Sequence, residues 1–211
     1  MSTIQTEDGL SLEADWINAS GKPVGVIVFC HPDPRQGGTM RAPLVRSVAG
    51  YLGRDGFHVL RFNFRGVGRS EGSWGGGDAE IHDVAAAMAA AATTHPDLPL
   101  GIAGWSFGAI TALRWQAASA STDRYVGIAP ALRLGSGPRV VPAAGALAAA
   151  DRLFVIGGKD QYTATRDLEL YAGEIGARVE VLPGSDHFFY FRHDHLAQLA
   201  AGHFRGGAKA T

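Results

Sequence analysis

The sequence predicts an α/β protein built on a mostly parallel sheet, and three observations carry that prediction. Short apolar runs rich in β-branched residues alternate with longer stretches of helical spacing, the pattern of successive βαβ units. The run Val24 to Cys30 is apolar almost throughout, as a strand covered on both faces must be. Glycine and proline clusters punctuate the chain between these segments.

The elements follow in order. Ser2 to Glu7 and Leu10 to Asn18 read as an antiparallel hairpin with a two-residue turn at Asp8-Gly9, forming one edge of the sheet. Val24 to Cys30 is an inner strand. After a Pro/Gly-rich loop, Ala42 to Arg54 sets Leu44, Val48 and Leu52 on one helical face, and Gly56 supplies a stop before the strand Phe57 to Phe62. The glycine-rich stretch Arg65 to Gly77 leads to an Ala-rich helix, Ala79 to Thr94, with Asp78 as the expected N-cap and Pro96 and Pro99 beyond its end. Strand Leu100 to Gly104, helix Phe107 to Ala118 and strand Tyr125 to Ala129 come next. Between Pro130 and Asp151 the composition supports at most a short helix, Ala143 to Ala150, too little for a lid domain. Strand Arg152 to Ile156, helix Thr163 to Gly173, strand Arg178 to Leu182 and helix Tyr190 to Phe204 complete eight strands.

Bulk properties narrow the function. A chain of 211 residues, 46% hydrophobic and 18% charged, supports one core, so residues 1–211 are expected to form a single globular domain. Its 19 basic and 20 acidic residues leave no broad field for nucleic acid or an anionic membrane, and a small, roughly neutral substrate is expected instead. The single cysteine, Cys30, reads as a buried structural thiol in a reducing compartment. The N-terminus shows no export signal, and no apolar stretch reaches the ~20 residues of a spanning helix. A cytoplasmic location follows, and self-association as a homodimer is left open.

The chemistry is carried by Gly104-Trp105-Ser106-Phe107-Gly108, a Gly-x-Ser-x-Gly segment lying where an apolar strand ends and a helix begins. A serine on so sharp a turn needs neighbours without Cβ atoms, which Gly104 and Gly108 are. The turn also sets the Phe107 amide at a helix N-terminus, where negative charge is favoured. Serine is a weak nucleophile and needs a base and an orienting acid later in the chain. Asp160 follows the strand Arg152 to Ile156 through Gly157-Gly158-Lys159, and its alternative reading is an ordinary turn aspartate. His187 lies just after the last strand and is the chosen base, with Asp186 a reserve acid too close in sequence to orient it. The other histidines are read as surface groups, His58, His82 and His95 beside earlier elements and His193, His195 and His203 on the closing helix. His193 and His195, two apart on a helix, point different ways and make a poor zinc pair.

An oxyanion hole needs a second amide from the loop after Val24 to Cys30. In His31-Pro32-Asp33-Pro34 the prolines have no N–H, so Asp33 is the candidate, provided its carboxylate points away or pairs with Arg35. His31 is read mainly as a loop brace. The expected pocket is a modest apolar site bordered by His31, Trp74, Trp105, the Leu132 to Val141 loop, and Phe188 or Phe189. No phosphate-binding or dinucleotide fingerprint occurs, and neither metal nor cofactor is expected.

Together with Gly37-Gly38-Thr39-Met40, Arg61-Phe62-Asn63-Phe64-Arg65-Gly66-Val67-Gly68-Arg69-Ser70 and Asp186-His187-Phe188-Phe189, these residues resemble the α/β-hydrolase superfamily, and within it a small lidless group. The resemblance implies an eight-stranded sheet with its second strand antiparallel, helices on both faces and no large cap. It also implies a nucleophile, acid and histidine after strands five, seven and eight, the places of Ser106, Asp160 and His187. That group often carries a second histidine where this chain has Asp33. The implied activity is hydrolysis of small carboxylic esters through an acyl-enzyme on Ser106. A peptidase or thioesterase with the same three residues, or a catalytically silent binding protein on this fold, are the alternatives.

Overall fold

A computed structural model describes residues 2–134, 137 and 140–206. Their elements are β1 (Ser2–Gln5), β2 (Ser11–Ile17), β3 (Gly25–Cys30), α1 (Pro43–Arg54), β4 (Phe57–Phe62), α2 (Glu80–Thr94), β5 (Leu100–Trp105), α3 (Phe107–Ser119), β6 (Arg124–Ile128), β7 (Arg152–Gly157), α4 (Thr165–Glu174), β8 (Arg178–Leu182) and α5 (His193–Phe204). The eight strands form one sheet in the order β1-β2-β4-β3-β5-β6-β7-β8. Strand β2 runs antiparallel to both its neighbours, and all later pairings are parallel.

The period of two along β3 explains why this strand is apolar throughout. Val26, Val28 and Cys30 face one core layer, while Ile27 and Phe29 face the other. Helices α2, α3 and α4 close the first layer through Val84, Leu113 and Leu168. Helices α1 and α5 close the second through Leu44, Val48, Leu52, Leu196 and Phe204. Among the described residues no cap domain is inserted between these elements, and no helix is long and apolar enough to cross a membrane.

Strand order decides where a ligand can sit. From β3 the chain steps to β4 on one side, then crosses to β5 on the other. Loops leaving the carboxyl ends of β3 and β5 therefore part in opposite directions and open a crevice between them.

Several local expectations are corrected. The β1–β2 turn spans three residues, Glu7 to Gly9: the Thr6 N–H bonds the Leu10 carbonyl, and Gly9 takes the left-handed conformation that closes such a loop with a bulge. Asp78 does not cap α2, because its carboxylate pairs with Arg114. The fully buried Glu80 instead accepts the Gly75 and Gly77 amides at 2.8 Å each, anchoring the glycine-rich stretch that precedes the helix. The expected helix at 143–150 shrinks to one 3-10 turn, Ala144–Ala146. Helix α5 starts at His193, not Tyr190, since Phe189 and Phe191 hold positive φ and cannot join it.

Candidate active site

Ser106 sits between β5 and α3 with φ 56° and ψ −115°, a conformation that costs a non-glycine residue on the order of 1–3 kcal/mol. Its surroundings hold it there. The Ser106 N–H donates to the Ile128 carbonyl at 2.8 Å, and its own carbonyl accepts from Ile110 and Ala131. The flanking glycines are demanded by close approach. A Cβ on Gly104 would overlap the Gly108 backbone, and one on Gly108 would overlap the carbonyls of Cys30 and His31. The first turn of α3 thus presses directly on the end of β3, and the hydroxyl stands at the crevice.

The other side of the crevice is assembled by β7 and β8. Gly157 lies so near the Ser185 and Asp186 carbonyls that no side chain fits, and the Lys159 N–H donates to the Ser185 carbonyl at 2.8 Å. The Asp160 and His187 loops are thereby packed together. Asp160 Oδ1 accepts the Tyr162 and Thr163 amides at 2.9 Å each, and its Oδ2 accepts His187 Nδ1–H at 2.8 Å. Both side chains are buried, the carboxylate completely. With Nδ1 protonated toward Asp160, Nε2 is left as the acceptor. Trp105 Nε1 donates to the His187 carbonyl at 3.2 Å, tying this loop to the residue before the nucleophile. Asp186 is occupied elsewhere, accepting the Phe188 and Phe189 amides.

Ser106 and His187 border one cavity of about 430 Å³, together with Phe107, Asp33, Trp105 and Phe188. No hydrogen bond joins the Ser106 hydroxyl to the imidazole, a contact that commonly tightens only when substrate binds. The Asp33 N–H has no acceptor among the described residues. Its carboxylate faces Arg35, accepting the Arg35 amide at 2.9 Å and its guanidinium at 2.7 and 3.1 Å.

Two expected pocket residues, His31 and Trp74, lie elsewhere, and of Phe188 or Phe189 it is Phe188 that lines the cavity. His31 is fully buried and does not line the cavity, because Nε2 accepts the Phe64 N–H at 3.0 Å and Nδ1–H donates to the Pro32 carbonyl at 2.7 Å. Trp74 stands behind Phe107, with the Arg35 guanidinium 4.4 Å above its ring. Phe189 is buried in the α1/α5 core layer. Of the Leu132 to Val141 loop, Arg133 and Leu134 reach the cavity, and residues 135, 136, 138 and 139 lie outside the described residues. His203 is not a surface group: it is buried between the Arg178 guanidinium and the Asp151 carbonyl. Sequence reasoning missed Tyr162 and Tyr190 in the cavity wall and the edge of Tyr162 against His187, with ring centres 4.6 Å apart. Such loop aromatics carry no periodic signal.

Two outcomes are expected. Gly108→Ala should destabilise the protein by about 3 kcal/mol or more, since both colliding atoms belong to the backbone. Gly173→Ala, in α4 with open space at its Cβ position, should be neutral or stabilising by up to ~1 kcal/mol. Equal urea midpoints for the two variants would refute the close approach of α3 to β3. Burial pushes the His31 imidazole down to about 4 from 6.5. The unfolded chain then binds the proton first, so stability is complete above pH 6.5 and declines as pH falls toward 4, by roughly 3 kcal/mol. Urea midpoints from pH 7 to 4.5 should fall less steeply for His31→Gln than for the parent. A parallel decline in both would contradict the neutral, buried imidazole.

Comparisons with known proteins agree with this architecture. A family model described as serine aminopeptidase, S33, matches residues 21–169. An alpha-beta serine hydrolase homologue from Coxiella burnetii superimposes with a TM-score of 0.82 at 28% identity, over 98% of this chain and 96% of its own. A serine hydrolase without a lid from Xanthomonas campestris gives 0.79 at 29% identity, over 100% and 95%. An uncharacterized protein of Rickettsia prowazekii is 25% identical over 193 residues, 89% of this chain and 81% of that relative. An eight-stranded sheet with its second strand reversed, a serine at the strand-to-helix turn and a family match across most of the length identify the chain as a member of the serine aminopeptidase S33 family of α/β-hydrolases.

Proposed function

We propose that the protein hydrolyses small carboxylic esters through an acyl-enzyme on Ser106. The observation carrying this reading is the buried Asp160–His187 hydrogen bond of 2.8 Å, placed behind an imidazole that shares its cavity with the Ser106 hydroxyl. In the first step Ser106 Oγ bonds the ester carbonyl carbon while His187 Nε2 takes the hydroxyl proton. The Phe107 and Asp33 amides, both at the cavity, receive the developing oxyanion. The carbon–oxygen bond to the alcohol breaks as His187 returns that proton to the leaving oxygen. Water then attacks the acyl carbon, its proton passes through His187 to Ser106, and the carboxylic acid departs.

An ester fits better than an N-terminal peptide. An aminopeptidase must neutralise the substrate ammonium, and the one carboxylate on the described cavity wall, Asp33, is already held by Arg35. Trp105 acts as a positioning residue, fixing the loop that carries the base. The single buried thiol, Cys30, supports a reducing cytoplasm as the place of action.

Ser106→Ala should lower turnover of nitrophenyl acetate by roughly 10⁴ or more and abolish labelling by a fluorophosphonate. Trp105→Phe keeps the ring but removes the donor to His187, and should lower kcat about tenfold while KM changes little. Parental turnover in Ser106→Ala would overturn the assignment. A folded parent inert to activated esters and fluorophosphonate would favour a silent binding protein, and faster cleavage of thioesters than matched esters would favour a thioesterase.

A further inference from the structure

Charges around the 430 Å³ cavity are unequally used. Asp33 is spent on Arg35 through three hydrogen bonds, Asp160 behind the wall is spent on His187, and Asp186 is spent on two backbone amides. Arg133 also lines the cavity, two residues beyond Ala131. Its guanidinium has one hydrogen bond, to the neutral Gly137 carbonyl at 3.2 Å, and no carboxylate lies within ion-pair distance among the described residues. A neighbouring groove of about 220 Å³ that Arg133 shares includes Asp167 and Glu174, and neither pairs with it. Among the described residues, the cavity thus holds one permanent cation with most of its donors unpartnered, in a site that also contains a helix N-terminus adding positive potential.

The rest of the described wall suits a short carbon chain and holds no second arginine or lysine. Trp105, Leu134 and Phe188 supply apolar surface, with Gln36, Tyr162 and Tyr190 adding neutral polar groups. Resting on the ester-hydrolase reading, we propose that the natural substrates are esters with a free carboxylate at the end remote from the scissile bond, such as monoesters of short dicarboxylic acids, and that Arg133 binds that carboxylate. Arginine matches this role because its planar fork receives both carboxylate oxygens. The near-neutral net charge of the chain conceals this preference, since it resides in one side chain and not in a surface field.

The test compares monoethyl adipate with ethyl hexanoate, which share a six-carbon acyl chain and differ in its terminal group, by pH-stat titration at pH 7.5. The ratio of kcat/KM for the anionic over the neutral ester should be about tenfold higher in the parent than in Arg133→Gln, as expected for one hydrogen-bonded charge pair. Arg133→Lys should keep part of the ratio, the difference should lie mainly in KM, and 0.5 M sodium chloride should shrink it. A parental preference for ethyl hexanoate, or a ratio unchanged by Arg133→Gln, would overturn the proposal while leaving the esterase reading intact. Failure of both esters, together with no fluorophosphonate labelling of Ser106, would remove the esterase reading and this inference with it.

Discussion

Everything at the crevice depends on how closely α3 approaches the end of β3. Gly108 lies against the Cys30 and His31 carbonyls without room for a methyl group, and that contact drives the serine before it into a left-handed backbone. Relaxing it would let Ser106 settle into ordinary helical geometry and draw its hydroxyl back into the turn. The hydrogen bonds from Ser106 to Ile128 and from Ala131 to Ser106 tie the strained turn to β6 and the loop that follows it. The sheet is thus both a scaffold and the spring that keeps the hydroxyl raised.

Buried polar groups around this spring are nearly all satisfied within the fold. Glu80 holds the glycine-rich loop, and Arg65 binds Asp83 at 2.7 Å and Asp8 at 2.8 Å, joining that loop to the β1–β2 turn. Burial opposes ionisation of Glu13, yet the Arg69 amide, Arg41 and Asn63 outweigh it and hold the carboxyl below its ordinary value. Groups so fully engaged are poor candidates for chemistry. The Ser106 hydroxyl and the Nε2 of His187, by contrast, have no hydrogen bond among the described residues, and both residues line one cavity with Arg133, whose guanidinium meets only the Gly137 carbonyl among those residues.

The fold was legible because strand and helix periods differ and the strands are apolar on both faces. All eight strands and five helices occur in the expected order, with differences at ends and caps, in the 143–150 stretch and in the burial of single side chains. Two of them share a cause. Asp78 was a sound N-cap in isolation, but Arg114, distant in sequence, claimed it. His203 looked solvent-facing on its helix until Arg178 and the Asp151 carbonyl closed over it. The grouping of Ser106, Asp160 and His187 could be anticipated because each follows a strand whose place in the sheet is set by topology. The cavity wall was legible in part: Trp105, Phe188 and the loop carrying Arg133 were expected there, whereas Tyr162 and Tyr190 stand on loops whose direction follows from tertiary packing alone, and His31 turned inward to meet an amide 33 residues away.

The contact at Gly157 has a bearing on how such a protein changes over generations. Because the acid and base loops are pressed together there, a substitution that shifts one displaces the other, and drift in this region is punished twice. On the segment that brings them to the cavity, neither Arg133 nor Leu134 hydrogen-bonds Ser106, Asp160 or His187 among the described residues. New substrate preferences can therefore arise on that segment while the chemistry stays intact, and divergence among related chains should be greatest there.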